Sequence, residues 1–284
     1  MAKIINGKAL AEKIKDNIVK EIINLNGPRP NLAIILIGGR EDSKLYVDLK
    51  EEEAKKVGID THLYKCPGNI SEKKVLEMID HLNKDELIDG ILVQLPLPKG
   101  FETNAIIKAI NPAKDVDGFH PDNLKILFKT CDHHHVMPSI FEVILEILKN
   151  IDCQLESKRI CVIVNWEIFG KSLSKVLECQ GAKVEIVYAD DNDLIQKTKR
   201  ADILITAVGK PGFIKKDMIK KNAVIIDIGI TKKGKKVYGD VDFENVKNKV
   251  GFITPVPGGV GPMTIAMAFK NTLELYKRNK KIRK

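Results

Sequence analysis

The chain has 284 residues, of which 44% are hydrophobic and 30% charged. That suits one large or two ordinary globular domains and excludes a disordered or fibrous chain. Its net charge is +9, yet the lysines alternate with glutamates along helical stretches and aromatics are only 5%. We therefore expect solvated helix faces and an acidic small ligand, with no nucleic-acid partner and no membrane surface. No apolar run is long enough to span a bilayer, and Met1-Ala2-Lys3-Ile4-Ile5-Asn6-Gly7 turns polar too soon for a signal peptide. Cys66, Cys131, Cys153, Cys161 and Cys179 are odd in number, scattered and without a CxxC pair. We expect reduced thiols, a cytoplasmic location and no zinc site.

Hydrophobic period predicts alternating strands and helices. Leu32–Ile37 is a strand ending at Gly38-Gly39, followed by a helix from about Asp42 to Val57, capped by Asp42 or Ser43 and stopped by Gly58. Ile59–Lys65 is a strand, Ser71–Asn83 a helix, Gly90–Gln94 a buried strand and Asn104–Ile110 a short helix. The stretch from Lys114 to Pro138 reads as a boundary. Beyond it come a helix over Ser139–Lys149, a strand over Arg159–Val164, a helix over Gly170–Gln180 and a strand over Lys183–Val187. Strands over Asp202–Ala207 and Ala223–Ile228 follow, then a last helix from Pro262 to Tyr276. This is an α/β chain of two domains, 1–120 and 121–284, the second a doubly wound, Rossmann-like parallel sheet.

Ser43, Tyr46 and Lys50 are spaced i, i+3, i+7, so Tyr46 and Lys50 share a helix face. A phenol beside a lysine can orient the amine and help keep it neutral, fit to act as a base. The same YxxxK spacing occurs in short-chain dehydrogenases. Those place it far downstream of a glycine-rich turn, whereas here it falls at residue 46 and Gly38-Gly39-Arg40 has no GxxxGxG form.

Three longer stretches follow in order: Gly90-Ile91-Leu92-Val93-Gln94-Leu95-Pro96-Leu97-Pro98, Lys114-Asp115-Val116-Asp117-Gly118-Phe119-His120-Pro121, and Thr254-Pro255-Val256-Pro257-Gly258-Gly259-Val260-Gly261-Pro262-Met263-Thr264. With SxxYxxxK ahead of them they resemble the bifunctional methylenetetrahydrofolate dehydrogenase/methenyltetrahydrofolate cyclohydrolase family over nearly the whole chain. The resemblance implies a tetrahydrofolate substrate and catalytic Lys50, Tyr46, Gln94 and Asp117. It also implies substrate contacts from Ser43, Leu95, Pro257, Gly258 and Gly259, a homodimer, an active-site cleft between the domains and a last helix (263–284) packed back on the first. A carboxylate such as Asp117 suits the planar donor edge of a pterin.

The resemblance further implies NAD or NADP in the second domain, bound by Asn165, Trp166, Glu167, Gly170, Lys171, Asp190, Gly209, Ile230 and Thr264. Here the chain departs from the family. Val164-Asn165-Trp166-Glu167-Ile168-Phe169-Gly170-Lys171-Ser172 keeps only the later glycine and the lysine of the phosphate loop, with Val164 at the first glycine and Trp166 at the serine. Asp190, about 20 positions after the glycine turn, suits a ribose hydroxyl and repels a 2′-phosphate. The expectation is a cyclohydrolase whose dehydrogenase is weakened, NAD-shifted or lost. A fully bifunctional enzyme is the alternative, and a non-catalytic folate-binding relative the alternative of another class. His133-His134-His135 reads as a solvent-facing loop, with no metal site expected.

Overall fold

The computed structural model describes residues 2–25, 27–131, 137–234 and 236–280. In chain order the elements begin with β1 (Lys3–Ile4), α1 (Gly7–Asn24), β2 (Asn31–Ile37), α2 (Glu41–Val57), β3 (Asp60–Cys66), α3 (Glu72–Lys84) and β4 (Gly90–Val93). Helices α4 (Thr103–Ala109), α5 (Pro121–Thr130) and α6 (Ser139–Asn150) follow. Next come β5 (Arg159–Val164), α7 (Glu167–Cys179), β6 (Lys183–Val187), α8 (Leu194–Arg200), β7 (Ile203–Ala207) and β8 (Val224–Asp227). The hairpin β9 (Thr231–Lys233) and β10 (Lys236–Tyr238), then α9 (Phe243–Val246), β11 (Phe252–Ile253) and α10 (Val260–Asn279), complete the described chain.

These elements form two compact units, neither continuous in sequence: Met1–Ala11 with Phe141–Thr264, and Glu12–Ile140 with Ile265–Lys284. The first holds a parallel sheet of order β1-β11-β8-β7-β5-β6. Strand order reverses at β5, and in such doubly wound sheets ligands bind beyond the carboxyl ends of the strands at that reversal. The second unit holds the parallel sheet β3-β2-β4. Alternate residues of β2 serve its two faces. Leu32, Ile34 and Leu36 pack with Val47 and Ala54 of α2 and with Phe269, Leu273 and Tyr276 of α10. Ala33, Ile35 and Ile37 pack with Val75, Ile79 and Leu82 of α3 and Ile106 of α4.

The strands read from the sequence at Arg159–Val164 and Lys183–Val187 stand at those residues. Elsewhere the structure differs. Residues 1–11 belong with the later unit because β1 pairs with β11, Lys3 against Phe252. Helix α2 starts at Glu41 behind Arg40, and Ser43 is buried within its first turn instead of capping it. Gly58 does end that helix, in the left-handed conformation at φ 84°. The presumed loop after residue 114 contains α5, which is entered through Pro121 and capped by His120. Cys66, Cys153 and Cys161 are free thiols. No helix among the described residues is long and apolar enough to cross a membrane.

One close approach in the first unit is set by absent side chains. A Cβ on Gly7 would stand 1.8 Å from the carbonyl oxygen of Gly259. We predict that Gly7→Ala lowers stability by about 1–3 kcal/mol, the usual cost of overpacking, measured as a lower urea midpoint at unchanged slope.

Candidate functional site

In the unit that contains β2–β4, the buried residues Ser43, Val47, Lys50, Ala54 and Val57 repeat at helical spacing along α2. Lys50 therefore lies on the inward stripe and is only 8% exposed. Its Nζ donates to Gln94 Oε1 at 2.9 Å. Gln94, just past β4, donates its own Nε2 to the Leu95 carbonyl at 2.7 Å, which turns its oxygen toward the lysine. Asp117 is the carboxylate whose charge Lys50 feels. Burial pulls the Lys50 amine below the usual lysine range, partly offset by Asp117. Burial likewise pushes Asp117 above the usual carboxylate range, partly offset by Lys50. Both are driven toward their neutral forms by the same loss of water. Tyr46, partly buried, sits one turn before Lys50 and packs on the cluster formed by α1, α2 and α10.

The loop bearing Asp117 is folded by a residue that the sequence reading passed over. Asp115 is buried, and its carboxylate accepts from the N–H of Gly118 at 3.0 Å, the N–H of His120 at 2.7 Å and Asn123 Nδ2 at 3.2 Å. Burial pushes Asp115 up to about 6, with the nearby Asp117 adding to the shift and the three donors opposing it. Asn271 of α10 braces the other side, donating to the carbonyls of Val116 at 2.9 Å and Met137 at 3.1 Å. Gly118 has φ +78°, and a Cβ there would meet the Met137 backbone at 2.7 Å. His120 Nδ1 accepts from the Asp122 N–H at 3.0 Å while Nε2 faces the Lys108 carbonyl at 3.2 Å. That pattern fits a neutral ring with its proton on Nε2. A cavity of about 10 Å³, room for roughly one water, lies among Ile91, Leu95, Asp115, Asp117 and Phe119.

The other site residues named from the sequence lie in the unit built on β5–β8. Helix α7 begins at Glu167, earlier than expected, with Trp166 as an N-cap that makes no side-chain capping bond. Gly170 is thus inside the helix. A Cβ there would meet Val164 Cγ2 at 2.9 Å and Ile186 Cγ2 at 3.1 Å, so this glycine lets α7 lie close on β5 and β6. Lys171 is exposed and paired with Glu167 at 2.5 Å. Asn165 donates to the Val208 carbonyl at 2.8 Å, tying the end of β5 to that of β7. Asp190 is exposed beyond β6, and Gly209, past β7, has φ +67° with open space beside it. Ile230 is partly buried after Gly229. Pro257 is exposed, Gly258 has φ +105°, and Thr264 Oγ1 donates within its own helix to Gly261 at 2.7 Å. The structure thus gathers Lys50, Gln94 and Asp117 in one unit, whereas Pro257, Gly258, Gly259 and the dinucleotide-side residues belong to the other. The histidine run at 133–135 lies outside the described residues, and no group of three metal-ligating side chains occurs among those described.

Two parallel α/β sheets, one with a strand-order reversal and one carrying a buried lysine beside a part-buried amide and carboxylate, make an architecture common among dinucleotide-binding enzymes. Comparison with known proteins makes this specific. The family description "Tetrahydrofolate dehydrogenase/cyclohydrolase, catalytic domain" matches residues 5–117, and its NAD(P)-binding domain matches residues 138–280. The chain is 45% identical to the bifunctional protein FolD of Nitratiruptor sp. over 98% of this chain and 99% of that one. Among solved structures it is similar to the bifunctional FolD enzyme of Campylobacter jejuni, at 36% identity and TM-score 0.91, covering 98% of this chain and 99% of that one. It is also similar to the Trypanosoma brucei enzyme complexed with NADP and an inhibitor, at 31% identity and TM-score 0.91, covering 98% of each chain. The chain belongs to the tetrahydrofolate dehydrogenase/cyclohydrolase family.

Asp115 generates a prediction of its own. Its pKa is raised on folding from 3.8 to about 6, so its contribution to stability is complete below pH 3.8 and fades as pH rises through about 6. In Asp115→Asn an amide NH₂ must face a backbone N–H, at a cost of about 1–3 kcal/mol. Urea melts across pH 4 to 7 should show the variant less stable at pH 7 and lacking this component of the pH dependence.

Proposed function

We propose that this chain is fully bifunctional. It would oxidise 5,10-methylenetetrahydrofolate with a nicotinamide cofactor and hydrolyse the resulting 5,10-methenyl bridge to 10-formyltetrahydrofolate. The observation that carries the reading is the buried amine of Lys50, hydrogen-bonded to Gln94 at 2.9 Å and facing Asp117.

The methenyl carbon of the substrate is a cationic amidinium and accepts water without a metal. Neutral Lys50 takes a proton as a water O–H adds to that carbon. It then returns that proton to the ring nitrogen whose C–N bond breaks, as the hydroxyl of the adduct loses its own proton to solvent and becomes the formyl oxygen on the other nitrogen, so that one proton is released per turnover. Tyr46, one turn away, orients the amine. Gln94 holds it through Oε1 and steadies the tetrahedral carbon. Asp117 receives the amino and ring N–H groups of the pterin, while Ser43 and Leu95 of the same unit add further substrate contacts. The enzyme works as a homodimer in the cytoplasm on this reading, following its family.

The residues beyond β5 and β7 fit a dinucleotide. The first-turn N–H groups of α7 are not capped by the Trp166 side chain, the open backbone at Gly209 admits a flat ring, and Lys171 balances the charge of Glu167. A nicotinamide dinucleotide held there would supply the hydride acceptor for oxidation of the methylene substrate. The weakened or lost dehydrogenase suggested by Val164 and Trp166 is set aside: Gly170 already provides the close helix–strand contact, and the dinucleotide-domain match runs through the altered loop. Exposed Glu167 and Asp190 favour NAD, because a 2′-phosphate would meet carboxylates.

Lys50→Met should cut hydrolysis by about 10²–10⁴, followed as decay of methenyl absorbance. Near-normal turnover would remove the lysine from the mechanism. Separate titrations with NAD and NADP, read as methenyl formation, should give the higher kcat/KM with NAD. Robust NADP-dependent turnover would reverse the cofactor assignment.

A further inference from the structure

Two carboxylates in the larger sheet are as buried as core leucines: Asp227 at the end of β8 is 3% exposed and Asp240 is 0% exposed. Neither is used in the chemistry above. Asp240 Oδ2 accepts from the Val208 N–H at 2.7 Å and from Thr206 Oγ1 at 3.0 Å, and its Oδ1 accepts from the Lys210 N–H at 2.8 Å. Asp227 Oδ1 accepts from the N–H groups of Gly229 at 3.0 Å and Asp240 at 3.1 Å, and its Oδ2 from that of Val241 at 2.9 Å. The N–H of Asp227 donates in turn to Thr254 Oγ1 at 2.8 Å. Two glycines exist to admit these carboxylates. A Cβ on Gly229 would stand 2.1 Å from Asp240 Cγ, and one on Gly239 would stand 2.1 Å from Asp227 Oδ2.

The strands β7 and β8 end side by side, and what leaves them is Val208-Gly209-Lys210 and Gly229-Ile230. Free loops at such strand ends would carry unsatisfied N–H groups and many conformations. Here the carboxylates collect those N–H groups, so the loop shape is set from beneath by charge-assisted bonds. Asp240 holds both flanks of Gly209, whose carbonyl accepts from Thr231 Oγ1 at 3.2 Å and which has open space where a side chain would stand. We infer that Asp240 is the positioning residue of the dinucleotide site, holding the Val208–Lys210 loop in its binding shape without itself touching the cofactor. Asp227 holds the neighbouring Gly229 turn and Asp240 itself in register.

This inference rests on the cofactor reading above, and its test separates the two. Calorimetric titration of NAD and NADP is carried out on wild type, Asp240→Asn and Thr206→Val, without folate. Cyclohydrolase turnover and thermal midpoints are measured on the same samples. In Asp240→Asn three donors converge on a group with one accepting oxygen. The least costly orientation sets the amide NH₂ against the Lys210 N–H and releases that side of the loop. Dinucleotide Kd should rise about 10- to 100-fold, the worth of a charged hydrogen bond, with cyclohydrolase kcat within about twofold of wild type. Thr206→Val keeps the carboxylate and both backbone bonds, so its Kd should rise less than tenfold but measurably; if Asp240→Asn does not fold, this variant decides. Folded variants with wild-type Kd overturn the inference. Parallel loss of hydrolysis and binding overturns it too, because that marks a general structural role. Wild type that binds neither dinucleotide overturns the cofactor reading instead.

Discussion

An amine kept out of water beside a part-buried carboxylate is the costly arrangement in this molecule, and much of the smaller sheet's surroundings serves it. Lys50 is buried because it takes a core position on α2, in line with Val47, Ala54 and Val57. Gln94 meets the amine because β4 ends there, and the Leu95 carbonyl fixes which end of the amide faces it. Asp117 is presented by a loop whose fold is dictated by a buried carboxylate, Asp115, and by the amide of Asn271 reaching in from α10. Buried polar groups survive only when their partners are supplied. Each of these residues is a partner supplied for that reason.

The same device recurs under the larger sheet. Asp227 and Asp240 gather backbone N–H groups from strand ends and loops, as Asp115 does beneath Asp117. In both places a short, glycine-containing loop gains a defined shape from a carboxylate below it.

The residues proposed for the chemistry were easier to read in the sequence than the residues that brace them. Lys50 and Tyr46 declare a shared helix face by spacing alone, and Gln94 and Asp117 sit in long motifs. The apolar run of β5 and the polar–apolar alternation of β6 mark those strands to the residue. By contrast, Asp115 and Asp240 read as ordinary turn aspartates, because burial depends on what packs over them from distant segments. Strand β1 has two residues and no period to detect, and its assignment depends on a partner near the other end of the chain. Helix α5 was hidden by Pro121, which looks like a breaker until it is recognised as the first residue of a helix. Gly170 was read as part of a phosphate turn. Its helical position makes it a packing glycine, which changes the meaning of the substitutions before it.

The order of the larger sheet also carries a consequence for synthesis on the ribosome. Lys3 and Ile4 are made long before Phe252 and Ile253, their neighbours in the ladder. The opening strand must therefore wait, unpaired, while almost every other element emerges. The β3-β2-β4 sheet closes over a much shorter stretch of chain. Long-range pairing of this kind is slow to form and leaves edges exposed meanwhile. Closure of the six-stranded sheet by β1 is thus among the last events of folding, and the nascent chain carries β1 without its ladder partner until then.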